Sequence, residues 1–317
     1  MLQNETKIAS RCLLLVILLV LMTLLPAHLV AWWPEGEPVI EATSQEYPAS
    51  PQAASLSRNL DRRLNWSFFH QTGLDVFLSY EMINKENPTQ SSLWMKMFVH
   101  NHTEDFNSHW SQPVRVSDIE TSGTIVSSSV AAAYIHPPGG FLGKQPAAFV
   151  GYLSQDNNAK DTKILIRQIN ASHNDGQVSL VVNPDFKVQI NPCEPGWKLI
   201  STDLCLVNVK TMFRTIPVIH LLWEEQDTQT GKRRIFVTDI SIDGHLGKPL
   251  IVQDNITSNN PLNPNLDVIY LLPRKGKGDQ TIRMRGVVSW VQLVEKDQES
   301  ENFISVRGYQ SSLNGGN

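Results

Sequence analysis

The chain has 317 residues, 27 lysines and arginines against 31 acidic residues and a formal charge of −4, enough for one large or two ordinary domains. Its basic residues are dispersed apart from Lys232, Arg233 and Arg234, which argues against a nucleic-acid partner. Scattered histidines without ligand spacing, and the lack of GxSxG, HExxH or a phosphate-binding glycine loop, leave zinc-protease, serine-hydrolase and nucleotide chemistry without their parts; no cofactor or metal is expected.

Lys7 and Arg11 precede an apolar run from Cys12 to Leu25 that PAHLVAWW extends to Trp33. Residues 1–33 therefore read as a secretory signal peptide, cleaved after Ala31, or as a single-pass membrane anchor. Trp32 and Trp33 suit the membrane interface, and basic residues ahead of the segment leave the remainder outside the cell. The expected location is the cell membrane with the C-terminal domain outside, or the exterior after cleavage. Either way Cys193 and Cys205 are the one cysteine pair in the exported part, as one disulfide across a short loop or as two free thiols. Two cysteines alone do not complete a zinc shell.

Residues 34–60 are rich in Pro, Glu, Ser, Ala and Gln and read as linker. One piece differs: EPVIEAT at 37–43 repeats the proline-then-alternation pattern of QPVRVSD from Gln112 and KPLIVQD from Lys248.

Residues 61–317 read as short strands separated by polar turns, with no helical stripe, and fall into four units of roughly 70 residues. Candidate first strands are 64–69, 130–135, 204–209 and 267–272. Second strands end at Tyr80, Tyr152, Trp223 and Trp290, aromatics expected to pack between units. Third strands are 93–99, 163–169, 234–240 and 303–309; fourth strands follow at 113–116, 179–182 and 249–252. Tandem four-stranded antiparallel units describe the blades of an all-β propeller, because one sheet alone cannot bury both of its faces. The last unit lacks a fourth strand, and residues 37–43 are predicted to fill that place and close the ring.

Between third and fourth strands lies a recurring turn: TEDFNSHW from Thr103, SHNDGQV from Ser172, SIDGHLG from Ser241 and SLNGG from Ser312. The set resembles the Asp-box of sialidase-like propellers, Ser-x-Asp-x-Gly-x-Thr-Trp. Thr103, Asp105 and Trp110 match in the first copy, Ser172, Asn174 and Gly176 in the second, Ser241 and Asp243 in the third, and Ser312, Asn314 and Gly316 in the fourth. A short acidic or amide side chain accepting backbone N–H groups, with a glycine tolerating positive φ, gives these residues a structural role. The resemblance implies a propeller and, were the chemistry kept, a glycosidase with an arginine triad and a tyrosine nucleophile. The nearest string to that family's Phe-Arg-Ile-Pro is Phe213-Arg214-Thr215-Ile216-Pro217, which makes Arg214 the candidate carboxylate ligand.

Glycoside hydrolysis more generally needs two carboxyl groups facing each other across a sugar. Asp61, Asp75, Glu81, Glu224, Glu225 and Asp227 are the candidates, and the Glu224–Glu225 and Lys232–Arg234 clusters read as solvated turns. Asn65, Asn101, Asn170 and Asn255 begin N-glycosylation acceptor sequences. The functional expectation is an exported, membrane-anchored propeller that binds a glycan or a protein at the surface. The alternatives are a sialidase-like glycosidase with a diverged site and a scaffold subunit of an envelope complex.

Overall fold

The computed structural model describes residues 40, 42–59, 72–100, 109–118, 123–135, 145–156, 162–174, 177–210, 215–258, 260–271, 282–296 and 299–313. All of its strands belong to one compact unit, Ala42–Asn317. They form four antiparallel sheets that follow one another along the chain, a four-bladed propeller arrangement.

The first blade comprises β1 (Glu46–Asn59), β2 (Thr72–Asn84), β3 (Ser91–His100) and two short outer pieces, β4 (His109–Trp110) and β5 (Val114–Arg115), both paired with β3. The second is β6 (Gly123–Ile135), β7 (Gln145–Asp156), β8 (Thr162–Asn174) and β9 (Gln177–Ile190). β10 (Trp197–Lys210), β11 (Thr215–Asp227), β12 (Arg233–Ile240) and β13 (Leu250–Ile256) make the third. The fourth has three strands among the described residues, β14 (Asn265–Leu271), β15 (Ile282–Lys296) and β16 (Glu299–Leu313).

The second and third strands of every blade and the first strands of the last three lie where alternation places them. The first blade differs. Its first strand is β1, within the stretch read as linker, whereas the expected 64–69 lies outside the described residues. Pro48 and Pro51 hide β1 in the sequence, yet the fold tolerates them. Among the described strands β1 pairs with β2 alone, so a missing N–H is harmless on its open edge. A bulge between Ala49 and Gln52, with Ser50 at φ 49°, absorbs the irregularity. Of the proposed closing segment 37–43 only Ile40, Ala42 and Thr43 are described, none of them in a strand; the pairing itself lies outside the described residues, as does the apolar leader at 1–33.

Blades are joined by apolar packing and by a repeated polar stitch. One apolar cluster joins the first and second blades, a second joins the second and third, and another joins the third and fourth. Three of the aromatics expected between blades sit in this packing, Tyr152 and Trp223 fully buried and Trp290 nearly so; Tyr80 is buried but lies outside the three clusters. β3, β8 and β12 begin at Ser91, Thr162 and Arg233, a period of 71 residues. The first two bond to the opening strand of the next blade, and the third to the connection that leads to it. Ser91 Oγ accepts the Ile125 N–H (2.8 Å), Thr162 Oγ1 accepts the Leu199 N–H (2.9 Å), and Arg233 Nε donates to the Ser258 carbonyl (3.1 Å). Nearer the axis, Ser129 Oγ donates to Asp203 Oδ1 (2.8 Å), and Asp203 Oδ2 accepts the Leu266 N–H (2.8 Å), so one carboxylate links three blades. Burial holds its pKa above the usual carboxylate range despite these bonds.

Candidate functional site: a pocket between the third and fourth blades

The turn joining β12 to β13 is built from its own polar residues. Ser241 Oγ donates to Asp243 and accepts the His245 N–H (3.1 Å), while Gly244 takes φ 84° and donates its N–H to the Ser241 carbonyl (2.9 Å). In the second copy β8 and β9 pair as far as Asn174 and Gln177, which places Ser172 and Asn174 at the end of a β-hairpin. Ser312 lies in β16 opposite Arg283, and Trp110 lies in β4 with its ring 5.1 Å from that of Phe98. Thr103, Asp105, Gly176, Asn314 and Gly316 lie outside the described residues, as does Arg214.

The third turn overhangs a pocket of about 470 Å³ whose walls include Asp239, Ser241, His245, Leu246 and Lys248 from its own side and Tyr309 and Gln310 from β16. Two of its lining residues, Asp239 and Tyr309, meet a buried histidine behind them. His220, fully buried on β11, stands opposite Asp239 on β12, with Nδ1 2.7 Å from Asp239 Oδ1 and 3.2 Å from the Tyr309 hydroxyl. The other ring nitrogen lies 3.2 Å from Met284 Sδ. Burial, then the charge of Asp239, pushes the Tyr309 phenol far above its ordinary pKa. Gly286 makes this placement possible: a Cβ there would fall 1.9 Å from Tyr309 Cε1, so the ring lies flat over a residue that has no side chain.

A second polar cluster replaces the expected solvated turns, and corrects them. Glu224 and Glu225 are fully buried and Arg233 and Arg234 nearly so. Glu224 pairs with Arg233 and accepts the Ser201 hydroxyl (3.1 Å) and the Leu262 N–H (3.0 Å). On the opposite face Arg234 donates twice to Glu225 Oε2 (3.0 and 2.8 Å) and once to Glu194 (3.0 Å), with its guanidinium 3.7 Å above the Trp197 ring. Glu225 Oε1 also accepts from Trp223 Nε1 and from the Cys193 N–H, both at 3.0 Å. The Glu225–Arg234 half pins the 191–197 connection to the third blade.

That pinning also decides the cysteines, which are free thiols rather than a disulfide. Cys193 is tied to Glu225, whereas Cys205 stands opposite His220, five residues away along β11. That is about 17 Å of strand, against a Cα separation of at most about 7 Å that a disulfide spans. Burial and the Glu225 carboxylate push the Cys193 thiol up to about 12. Although Cys193 is exposed, its alkylation at pH 8 is expected to run about a thousandfold slower than that of an ordinary thiol, because the thiolate is the nucleophile. Rates from mass-resolved iodoacetamide labelling check this; labelling at the speed of a free cysteine would contradict it.

Among the described residues the remaining carboxylate candidates do not converge. Asp75 is buried and accepts from the Tyr134 hydroxyl (3.3 Å); burial raises the pKa of Glu81; Asp227 caps its own hairpin through the Gln229 N–H (2.8 Å) and the Thr230 hydroxyl (2.7 Å). Asp61 lies outside the described residues. The His220–Asp239–Tyr309 chain is absent from the sequence reading. Its one signal is a histidine and an aspartate set in otherwise apolar strands, VIHLLW and IFVTDI. Compared with known proteins, the chain matches no family model, no curated protein and no solved structure.

Proposed function

We propose that this propeller is a surface binding module whose pocket between the third and fourth blades takes a hydroxyl-rich ligand, a glycan. The pocket's walls carry the reading. Asp239, Ser241 and Gln310 offer acceptors and donors for hydroxyl groups, His245 and Lys248 suit one acidic substituent, and Leu246 and the Tyr309 ring give apolar contact for a sugar face. Binding fits better than glycoside hydrolysis. Asp239 is the only carboxylate among the described residues lining the pocket, whereas hydrolysis needs two. Tyr309 has its pKa raised, the opposite of what activates a tyrosine nucleophile.

The apolar leader supports export, with the propeller held outside the membrane by an uncleaved anchor. Asn255, an exposed glycosylation acceptor at φ 57°, is compatible with that location. Protection of the propeller from protease in intact cells would count against export.

The binding reading is tested by titrating the purified protein with N-acetylneuraminic acid, galactose and glucuronic acid, alongside Gly286→Ala. The added methyl displaces the Tyr309 ring from the wall, so binding should fall at least tenfold while unfolding shifts by about 1–3 kcal/mol. No binding of any sugar at millimolar concentration, or binding indifferent to Gly286→Ala, would reject it.

A further inference from the structure

The internal repeat says what should cover each blade face. In the first three blades, two positions on the third strand face the following blade and are closed off by it: Leu93, Ile164 and Ile235 at the first, Met95, Ile166 and Val237 at the second, none more than 1% exposed. The register of each third strand against its closing aromatic puts Ile304 and Val306 at the corresponding places in the fourth blade, since Trp290 stands opposite Ser305 as Trp223 stands opposite Phe236. These two are 78% and 63% exposed. Val287 and Val291, beside them on β15, are exposed as well. The trailing face of the fourth blade thus has the composition of an inter-blade core and no blade among the described residues upon it.

The leading face of the first blade shows the reciprocal defect. Two residues before the closing aromatic, Val150, Leu221 and Val288 are completely buried against the preceding blade, whereas Leu78 in the first blade is partly open. Tyr80, Trp94 and Leu78 belong to none of the three inter-blade clusters. Each end of the four-blade series therefore carries half of a junction that the series itself makes three times.

We propose that a second copy of this chain covers these faces, docked head to tail, with the first blade of one chain packed on the fourth blade of the other at both junctions. The contact continues an interface chemistry already present between the blades rather than introducing a new one. Two chains of four blades close into a ring of eight, at the top of the roughly four-to-eight range that propellers adopt, and closure leaves neither face exposed. A third chain would exceed that range.

The test uses the full chain in mild detergent, with protein mass measured by light scattering. Wild type should have twice the 35.6 kDa of one chain. Val306→Glu and, separately, Leu78→Glu should each halve that mass. Head-to-tail docking makes a further demand: mixing the two variants unites the intact leading face of one with the intact trailing face of the other, and should restore the doubled mass through a single junction. Val287→Glu, at an already exposed site, serves as a second trailing-face variant, and Val76→Glu replaces Leu78→Glu if circular dichroism shows the latter misfolded. A wild type of single-chain mass, or variants that keep the doubled mass, would overturn the proposal. So would a mixture that stays monomeric, since that result means an intact leading face does not accept an intact trailing face.

Discussion

Replacing Glu224 with alanine is expected to lower the unfolding free energy by about 3–5 kcal/mol, the cost of leaving a buried charge without its partner. Its carboxylate is fully buried and receives Arg233, the Ser201 hydroxyl and the Leu262 N–H, so it ties β10, β11, β12 and the approach to β14 into one knot. Alanine strands the Arg233 guanidinium with the Ser258 carbonyl as its remaining contact and leaves the Leu262 amide unsatisfied. Glu224→Gln keeps an acceptor for the amide but not the charge, and should cost less than alanine. Replacing both partners by apolar residues of similar size, Glu224→Leu with Arg233→Met, should recover most of the loss, because the desolvation penalty leaves with the pair. Urea unfolding with an unchanged slope checks all three. A loss below about 1 kcal/mol for Glu224→Ala would mean that the pair behaves as a solvated surface ion pair.

That pair also shows why the sequence misleads here. Adjacent glutamates followed by a basic run look like solvent-facing turns only if a strand has one wet face. Glu224 and Glu225 point to opposite faces of β11, and each face meets an arginine from β12 and is covered by other parts of the fold. A sheet packed on both faces loses the polar-out alternation that sequence reading depends on. A strand that does alternate, such as β6, and the aromatics within β2, β7, β11 and β15 were legible because buried side chains recur there at a fixed period. β1 was not legible, since Pro48 and Pro51 are read as linker wherever the openness of an edge is unknown. The pocket was hidden for another reason. Tyr309 stands 89 residues from His220, and their meeting depends on the fourth blade folding against the third, with Gly286 leaving room for the ring. The recurring turn was legible as a period but not as a conformation: the third copy is a turn closed by the Ser241 hydroxyl on Asp243, while the second copy starts within β8.

Trp223→Ala is expected to cost about 3–5 kcal/mol, in the range for removing a large buried aromatic. Trp223 is fully buried at the junction of the second and third blades and stacks on Phe236 with ring centroids 5.2 Å apart and planes 10° from parallel. Its Nε1 donates to Glu225 Oε1 (3.0 Å), so alanine opens a cavity and withdraws a donor from a buried carboxylate. Trp290→Ala separates the two effects. Trp290 holds the same place in its blade, but its Nε1 has no hydrogen-bond partner among the described residues, so its loss should cost the packing alone. Trp223→Phe should keep most of the stacking and lose the hydrogen bond, falling between wild type and alanine. If Trp223→Ala proves no more damaging than Trp290→Ala in matched denaturant titrations, the Glu225 bond contributes nothing and the closing aromatics act only by filling the space between blades. A larger loss for Trp223→Ala places the strongest junction where aromatic stacking and the buried ion pairs meet, between the second and third blades.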